Sequence, residues 1–170
     1  YPLRRQRQMC IRDRSYRDYK IEAISFNKRP FKHQPITELS TYWVTLDEHW
    51  QKLIKQKLKF PKVPTDYYLD RISGISSLDL SKSEITNFEP LIKFIGLKTL
   101  NLKNRPIDTL YYIKDCIKLE DLNISNCSLT SLHGLEKLTL LQSLKAANNE
   151  IVDVTPIINC TKIITLNLNE

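Results

Sequence analysis

Aliphatic side chains recur every 22 residues through the second half of this 170-residue chain. Each of five successive units opens with three apolar residues at the spacing LxxLxL, and the fifth unit is shorter than the others. The triplets are Ile75, Leu78 and Leu80; Leu97, Leu100 and Leu102; Leu119, Leu122 and Ile124; Leu141, Leu144 and Ala146; and Ile163, Leu166 and Leu168. No insertion breaks this register, so we expect a stack of structural repeats.

The four complete units also share apolar residues at their eleventh, fourteenth, seventeenth and twentieth positions. These are Ile85, Phe88, Leu91 and Phe94; Ile107, Leu110, Ile113 and Cys116; Leu129, Leu132, Leu135 and Leu138; and Ile151, Val154, Ile157 and Cys160. The spacing of two within LxxLxL is strand periodicity, whereas the later spacing of three suits a tight helical turn. Each unit is therefore predicted to be a short strand followed by a short helical return. Pro90 and Pro156 suit the first turn of such a return.

The pattern LxxLxLxxxxIxxLxxLxxLxx resembles the 22-residue class of leucine-rich repeats found in internalins and in phosphatase regulatory subunits. The resemblance covers residues 75–170, with units at 75–96, 97–118, 119–140, 141–162 and 163–170. It implies an α/β fold, a right-handed leucine-rich-repeat solenoid. In such a fold a parallel sheet forms the concave face, and short 3-10 or helical returns form the convex face.

The ninth position of each unit departs from the family pattern. The family usually carries asparagine there, where its side chain bonds buried loop amides and forms a ladder between repeats. This chain has Ser83, Arg105, Cys127 and Asn149. Because an unpaired guanidinium is costly to bury, we expect either a local distortion in the second repeat or an Arg105 side chain that escapes to solvent.

Residues 45–74 are predicted to form an N-terminal helical cap that covers the apolar end of the stack. Thr45 and Glu48 fit a capping box at the start of an amphipathic helix. A second, shorter helix is expected between Thr65 and Gly74. The inward positions are Leu46, Trp50, Leu53, Ile54 and Leu58 in the first helix, and Leu69 and Ile72 in the second.

The N-terminal segment, residues 1–14, resembles a translated sequencing adapter. The run RRQRQMCIRD matches such a translation at ten consecutive positions, residues 4–13. We therefore expect residues 1–14 to be non-native, and residues 15–44 to be a linker or the tail of an upstream region. The formal net charge is +7, but the first 74 residues account for +8 and the remainder for −1. Neither a nucleic-acid nor a membrane partner is predicted, because much of the positive charge lies in the adapter-like run.

No motif in the sequence predicts catalysis, a cofactor or a metal site. The histidines His33, His49 and His133 lack metal-ligand spacing to one another or to cysteine. The three glycines are too widely separated to form a phosphate-binding loop. We therefore expect a chain that is not an enzyme.

Cysteine usage bears on the cellular compartment. Cys116 and Cys160 share one core column two repeats apart, so we expect about 10 Å between them, too far for a disulfide. Cys127 lies in the ladder column, and Cys10 belongs to the adapter-like segment. Buried free thiols are typical of a reducing compartment, which predicts a cytoplasmic location. A secreted or surface-displayed location stays open, because we expect the true N-terminus to be missing.

Residues that alternate with the inward leucines are predicted to face the concave side and to bind a protein partner. They are Ser77, Asp79, Ser81, Thr99, Asn101, Lys103, Asp121, Asn123, Ser125, Ser143, Lys145, Thr165, Asn167 and Asn169. These side chains lack the Tyr, Trp and Arg anchors that usually dominate binding energy. The alternative is a solvated sheet face with no partner.

The favoured function is a protein–protein interaction module, part of a longer bacterial-type repeat protein. Two alternatives stay open: a regulatory or targeting domain of a larger enzyme whose catalytic part is absent, and a surface-displayed, internalin-like adhesin. The pattern does not identify the partner. A last strand within residues 163–168 would present an unpaired edge, so we also expect self-association of the fragment through that edge.

Overall fold

The computed structural model describes residues 38–59 and 64–169. The predicted adapter-derived segment, residues 1–14, lies outside the described residues, as does the part of the predicted linker that precedes Glu38. Residues Ile36–Glu170 form one compact unit.

Within the described residues, three α-helices precede the sheet. Helix α1 is Glu38–Thr45, helix α2 is Glu48–Leu58 and helix α3 is Asp66–Asp70, which continues directly into a 3-10 helix at Arg71–Gly74. Helix α1 falls inside the segment predicted to be a linker. Its Trp43 is buried with the core, so the helical cap includes α1 as well as the two predicted helices.

The start of helix α2 differs from the prediction. Asp47 is the N-cap, and its carboxylate accepts a hydrogen bond of 2.9 Å from the Trp50 backbone N–H. The predicted capping box of Thr45 and Glu48 is therefore wrong. The Thr45 hydroxyl instead donates to the Tyr42 carbonyl at 2.7 Å, at the end of α1. Threonine and aspartate can both cap a helix. Asp47 takes this place because Thr45 is still the last residue of α1.

Trp50 joins the helical cap to the first repeat. Its side chain is 0% exposed, and its ring centroid lies 5.4 Å from that of Phe94. The indole Nε1–H donates to the Asn87 carbonyl at 2.7 Å. The Tyr42 hydroxyl makes a second such bond, donating to the Pro90 carbonyl at 3.1 Å. The cap is thus held by aromatic packing and by hydrogen bonds to the first return segment, and Trp50 belongs to the core as predicted.

Five short strands form one parallel sheet in chain order. They are β1 (Ser77–Asp79), β2 (Thr99–Asn101), β3 (Asp121–Asn123), β4 (Ser143–Lys145) and β5 (Thr165–Asn167). The middle residue of each strand points inward. These leucines are at most 1% exposed in β1 to β4, whereas Leu166 in β5 is 47% exposed. The predicted 22-residue register and the parallel pairing are confirmed.

Short 3-10 helices return the chain on the opposite side, at Glu89–Lys93, Tyr111–Ile113 and Thr155–Ile157. Pro90 and Pro156 occupy the first turn of two of them, as predicted, where the absent N–H is not needed. The third repeat returns through turns instead. The apolar columns from these returns and from the strands meet in one continuous core.

Apolar residues of the fourth and fifth units are less buried than predicted. Val154 is 47% exposed, and Ile151, Ile163 and Leu168 are only partly buried. Within the described residues, no further repeat lies beyond β5 to cover them. A repeat gains half of its burial from the neighbour on each side, so the same pattern buries less at this end of the stack.

The ninth-position residues connect neighbouring repeats unequally. Asn149 fills its whole hydrogen-bonding capacity: its Oδ1 accepts from the N–H groups of Cys127 and Leu129, both at 3.1 Å. Its Nδ2 donates to the carbonyls of Ile124 and Ala146, both at 2.8 Å. This is the role that the family pattern implies for asparagine at this position.

Arg105 takes the same position in the second repeat without distorting the turn. Its backbone N–H donates to the Leu102 carbonyl at 3.0 Å, as Ser83 does to Leu80 one repeat earlier at 3.1 Å. The guanidinium reaches back to the Ile85 carbonyl, at 2.8 Å from Nη2. Its buried Nε has no hydrogen-bond partner among the described residues. The side chain therefore bridges two repeats, and the expected escape to solvent was wrong.

Gly96 marks a close contact between the cap and the first repeat. A Cβ atom at this position would lie 2.0 Å from the Ser73 carbonyl oxygen. We expect Gly96→Ala to lower the free energy of unfolding by about 1–3 kcal/mol, because backbone must move to admit the methyl group. Gly74→Ala is the matched control, since nothing lies within 4 Å of its Cβ position. Urea unfolding followed by circular dichroism measures both, and an unchanged Gly96→Ala midpoint would contradict the contact.

Candidate protein-binding face

The parallel register aligns the predicted partner-binding residues in columns across the sheet. One column is formed by the first residue of each strand, and another by the last residue of each strand. The first is Ser77, Thr99, Asp121, Ser143 and Thr165; the second is Asp79, Asn101, Asn123, Lys145 and Asn167. A third column follows the strands and contains Ser81, Lys103, Ser125 and Asn169. The register thus aligns the predicted residues of the first two columns from one strand to the next.

Exposure divides this set. The exposed members are Ser77, Asp79, Thr99, Lys103, Asp121, Lys145, Thr165, Asn167 and Asn169. Ser81, Asn101, Asn123 and Ser143 are half-buried. Ser125 is buried, with 9% of its surface exposed, so its predicted place on the binding surface is corrected. Its backbone N–H instead donates to the Asn123 side chain, and its carbonyl accepts from Asn104.

Side chains at the ends of the strands are held by the turns that follow them. The Oδ1 atoms of Asn101, Asn123 and Asn167 each accept a hydrogen bond of 3.1 Å from the backbone N–H two residues later. This fixes the orientation of each amide. The NH2 group of Asn101 hydrogen-bonds to the Asp79 carboxylate of the preceding strand, whereas those of Asn123 and Asn167 donate to no group among the described residues.

Asp79 plays the same part in β1 as a charged group. Its carboxylate accepts from the Ser81 hydroxyl at 2.6 Å and from the Ser81 N–H at 2.9 Å. These two bonds lower the pKa of Asp79 below its ordinary value. The face therefore carries fixed negative charge at β1, while Lys145 takes the equivalent position in β4.

The residue before each strand is not among the predicted partner-binding residues. This flanking column is Ser76, Lys98, Glu120, Gln142 and Ile164. Lys98 Nζ and Glu120 Oε1 form an ion pair of 3.0 Å between adjacent repeats. Ile164 is 85% exposed, which makes it the large apolar group next to the predicted face. Strand alternation gives no reason to include this column, because adjacent strand residues point to opposite faces and these residues lie just before the strands.

Exposed aromatic residues lie on other elements. Tyr67 of α3 is 69% exposed and packs edge-on against Tyr68, with ring centroids 5.4 Å apart. Tyr111, in the second return, is 53% exposed, and Lys114 Nζ lies 3.6 Å from the centroid of its ring. Aromatic groups of this kind commonly anchor protein interfaces. Neither residue belongs to the strand columns, so the repeat pattern alone gives no reason to select them.

The described part of the chain contains three buried thiols and an exposed pair of histidine and glutamate. Cys116, Cys127 and Cys160 are free and buried, and burial raises the pKa of the Cys116 thiol to about 11. His133 Nδ1 lies 3.0 Å from Glu136 Oε1 on the exposed return. Among residues 38–59 and 64–169, no group of three His, Cys, Asp or Glu side chains is placed to hold a metal ion. The described helices are too short or too polar to cross a membrane.

Comparison with known proteins places the fold. No family model and no curated protein matches the chain. Among solved structures, an internalin (inlF) from Listeria monocytogenes matches with a TM-score of 0.53 and 26% identity, covering 63% of this chain and 32% of that one. An internalin C2 (inlC2) from the same organism matches with a TM-score of 0.59 and 18% identity, covering 82% and 70%. The chain thus spans about a third of the length of the inlF protein.

Proposed function

We propose that this protein, which has a leucine-rich-repeat fold like that of internalins, is a protein–protein interaction module that binds its partner on the concave face. The single observation that carries the proposal is the ordered column at the ends of the strands. Three asparagine side chains there are locked by their own turns at the same repeat position. Groups that are already oriented lose less entropy when a partner binds.

The size of the side chains supports the same proposal. Serine, threonine, aspartate and asparagine dominate the exposed columns, so a partner can approach the sheet closely. Asp79 lies on β1 and Asp121 on β3, while Lys103 follows β2 and Lys145 lies on β4. We therefore expect a partner whose contacting surface is polar and carries charges of both signs. No catalytic activity or cofactor is proposed.

Paired arginine substitutions test which face binds. We expect a variant carrying Thr99→Arg and Asp121→Arg on the concave face to weaken binding at least ten-fold. The matched control carries Thr139→Arg and Asp108→Arg, exposed residues of the same two types outside the strands. Binders would be selected on the unmodified protein from a displayed library of natural protein fragments, and their affinities for each variant measured by surface plasmon resonance.

The result would contradict the proposal if the selected binders lost affinity for the control variant and kept it for the concave variant. Circular dichroism would show that both variants keep the fold, so that a loss can be assigned to the surface. Binders that are insensitive to both variants would point to the exposed aromatic groups on the cap and returns instead.

We also propose a location for the protein. Three free, buried cysteines in the described residues favour a reducing compartment such as the cytoplasm. The likeness to internalins favours a second candidate function, a surface-displayed adhesin. The full-length gene separates the two, because a secretion signal and a wall or membrane anchor are expected only for the adhesin.

A further inference from the structure

Strand β1 has one edge that no other strand covers. It pairs with β2 only, as the first strand of the sheet. The Ser76 carbonyl accepts from Lys98 and Thr99, and the Leu80 N–H donates to Asn101, so these groups face β2. Backbone groups of alternate residues point to opposite edges of a strand. The N–H and C=O of Ser77 and Asp79 therefore face the outer edge.

These outer groups are open within the described residues. Within residues 38–59 and 64–169, the backbone N–H and C=O groups of Ser77 and Asp79 make no hydrogen bond to the protein. Both residues are exposed. An edge of this kind is a template for an added strand, because the main chain supplies donors and acceptors at regular spacing.

A cleft of about 540 Å³ runs alongside this edge. It is lined by the C-terminal turn of α2, by the 3-10 helix Arg71–Gly74 and by residues 75–77. Leu58, half-buried, and Ile75, buried, are its apolar lining residues. The volume is in the range of sites that hold a few side chains of a ligand. Backbone edge and cleft are thus adjacent.

Positively charged side chains outnumber negatively charged ones in the lining of the cleft. Lys57 and Arg71 line it, against the single carboxylate of Asp70. Both cations are exposed and have no ion pair within the described residues. A carboxylate entering the cleft would therefore meet a net positive charge and planar donors from the guanidinium of Arg71.

We infer that the outer edge of β1 binds an extended segment of a partner protein, added as a sixth strand, with an acidic side chain placed between Lys57 and Arg71. The partner's main chain pairs with Ser77 and Asp79, and an apolar side chain of the same segment covers Leu58 and Ile75. This contact is separate from the concave face, so the two can be lost independently.

Gly74 provides a variant that closes the cleft without strain. Nothing lies within 4 Å of the position that its Cβ would take, so a large side chain enters open space at the cleft wall. Gly74→Tyr is therefore expected to fold and to block the added strand. Thr139→Tyr, on an exposed return, is the matched control for an added aromatic surface.

The experiment uses the whole chain and a set of acetylated, amidated heptapeptides. In these probes threonine and valine alternate, and one glutamate occupies each position in turn; a second set has lysine in its place. Amide hydrogen exchange is followed by NMR at Ser77 and Asp79. We expect at least one glutamate peptide to slow exchange at both amides ten-fold or more, and its lysine counterpart to bind at least ten-fold more weakly.

The variants give the remaining outcomes. Gly74→Tyr, and the double change Lys57→Gln with Arg71→Gln, should each weaken the glutamate peptide at least ten-fold, whereas Thr139→Tyr should not. The inference is overturned if no glutamate peptide protects the two amides, or if glutamate and lysine peptides bind equally. It is also overturned if the amides are already protected in the free protein, whether by an earlier segment of the chain or by a second copy detected by sedimentation.

Discussion

Replacing Trp50 with alanine is expected to lower the free energy of unfolding by about 3–5 kcal/mol, the usual cost of removing a fully buried large aromatic side chain. The indole is 0% exposed, contacts the Phe94 ring and donates to the Asn87 carbonyl. The substitution would leave a cavity between the cap and the first repeat and an unsatisfied carbonyl. Urea unfolding at equilibrium, followed by far-UV circular dichroism, measures the change.

Two further variants make this prediction specific. Trp50→Phe keeps an aromatic ring beside Phe94 and loses the indole hydrogen bond, so we expect a smaller loss of about 1–3 kcal/mol. Tyr67→Ala removes an aromatic side chain that is 69% exposed on the same cap, and should change stability by less than about 0.5 kcal/mol. If Trp50→Ala cost no more than Tyr67→Ala, the cap would not be packed on the repeats as described.

Leu122→Ala is expected to lower the free energy of unfolding by about 2–5 kcal/mol. Leu122 is 1% exposed and is paired in register with Leu100 on one side and Leu144 on the other. Two repeat interfaces therefore lose contacts when its side chain is shortened. The same urea titration measures the loss, and the cavity should also reduce the cooperativity of the transition if neighbouring repeats separate.

The matched control for Leu122 is its neighbour in the same strand. Asp121→Ala removes an exposed side chain from the opposite face of β3, and should change stability by less than about 0.5 kcal/mol. Equal losses for the two variants would show that the inward and outward faces of the strands had been assigned the wrong way round. The pair thus tests the assignment on which the proposed binding face depends.

The repeat pattern was sufficient to predict the sheet. In each strand an inward leucine such as Leu100 stands between two polar residues, and both neighbouring repeats impose the same choice of face. Many columns agree, so an error at one position does not change the fold. The same argument predicted the concave columns, although it gave too much exposure to Ser125, whose burial depends on the turn after β3.

Other features depend on contacts between distant segments. Helix α1 has only eight residues and little amphipathic pattern, and Trp43 is buried because α1 meets the rest of the cap. The Arg105 guanidinium donates to the Ile85 carbonyl of the preceding repeat, a contact that the residues near Arg105 in the sequence do not predict. The cleft beside β1 combines the end of α2, the 3-10 helix and a strand edge. Such a site exists only once the chain has folded.

Unequal bonding at the ninth position has a mechanical consequence. Asn149 ties the third and fourth repeats through three bonds, to Cys127, Leu129 and Ile124, whereas Arg105 ties the first and second through one and leaves its Nε without a partner in the described part of the chain. In a linear array, separation begins at the weakest junction. Under a pulling force, the junction between the first and second repeats should therefore separate before the junction between the third and fourth.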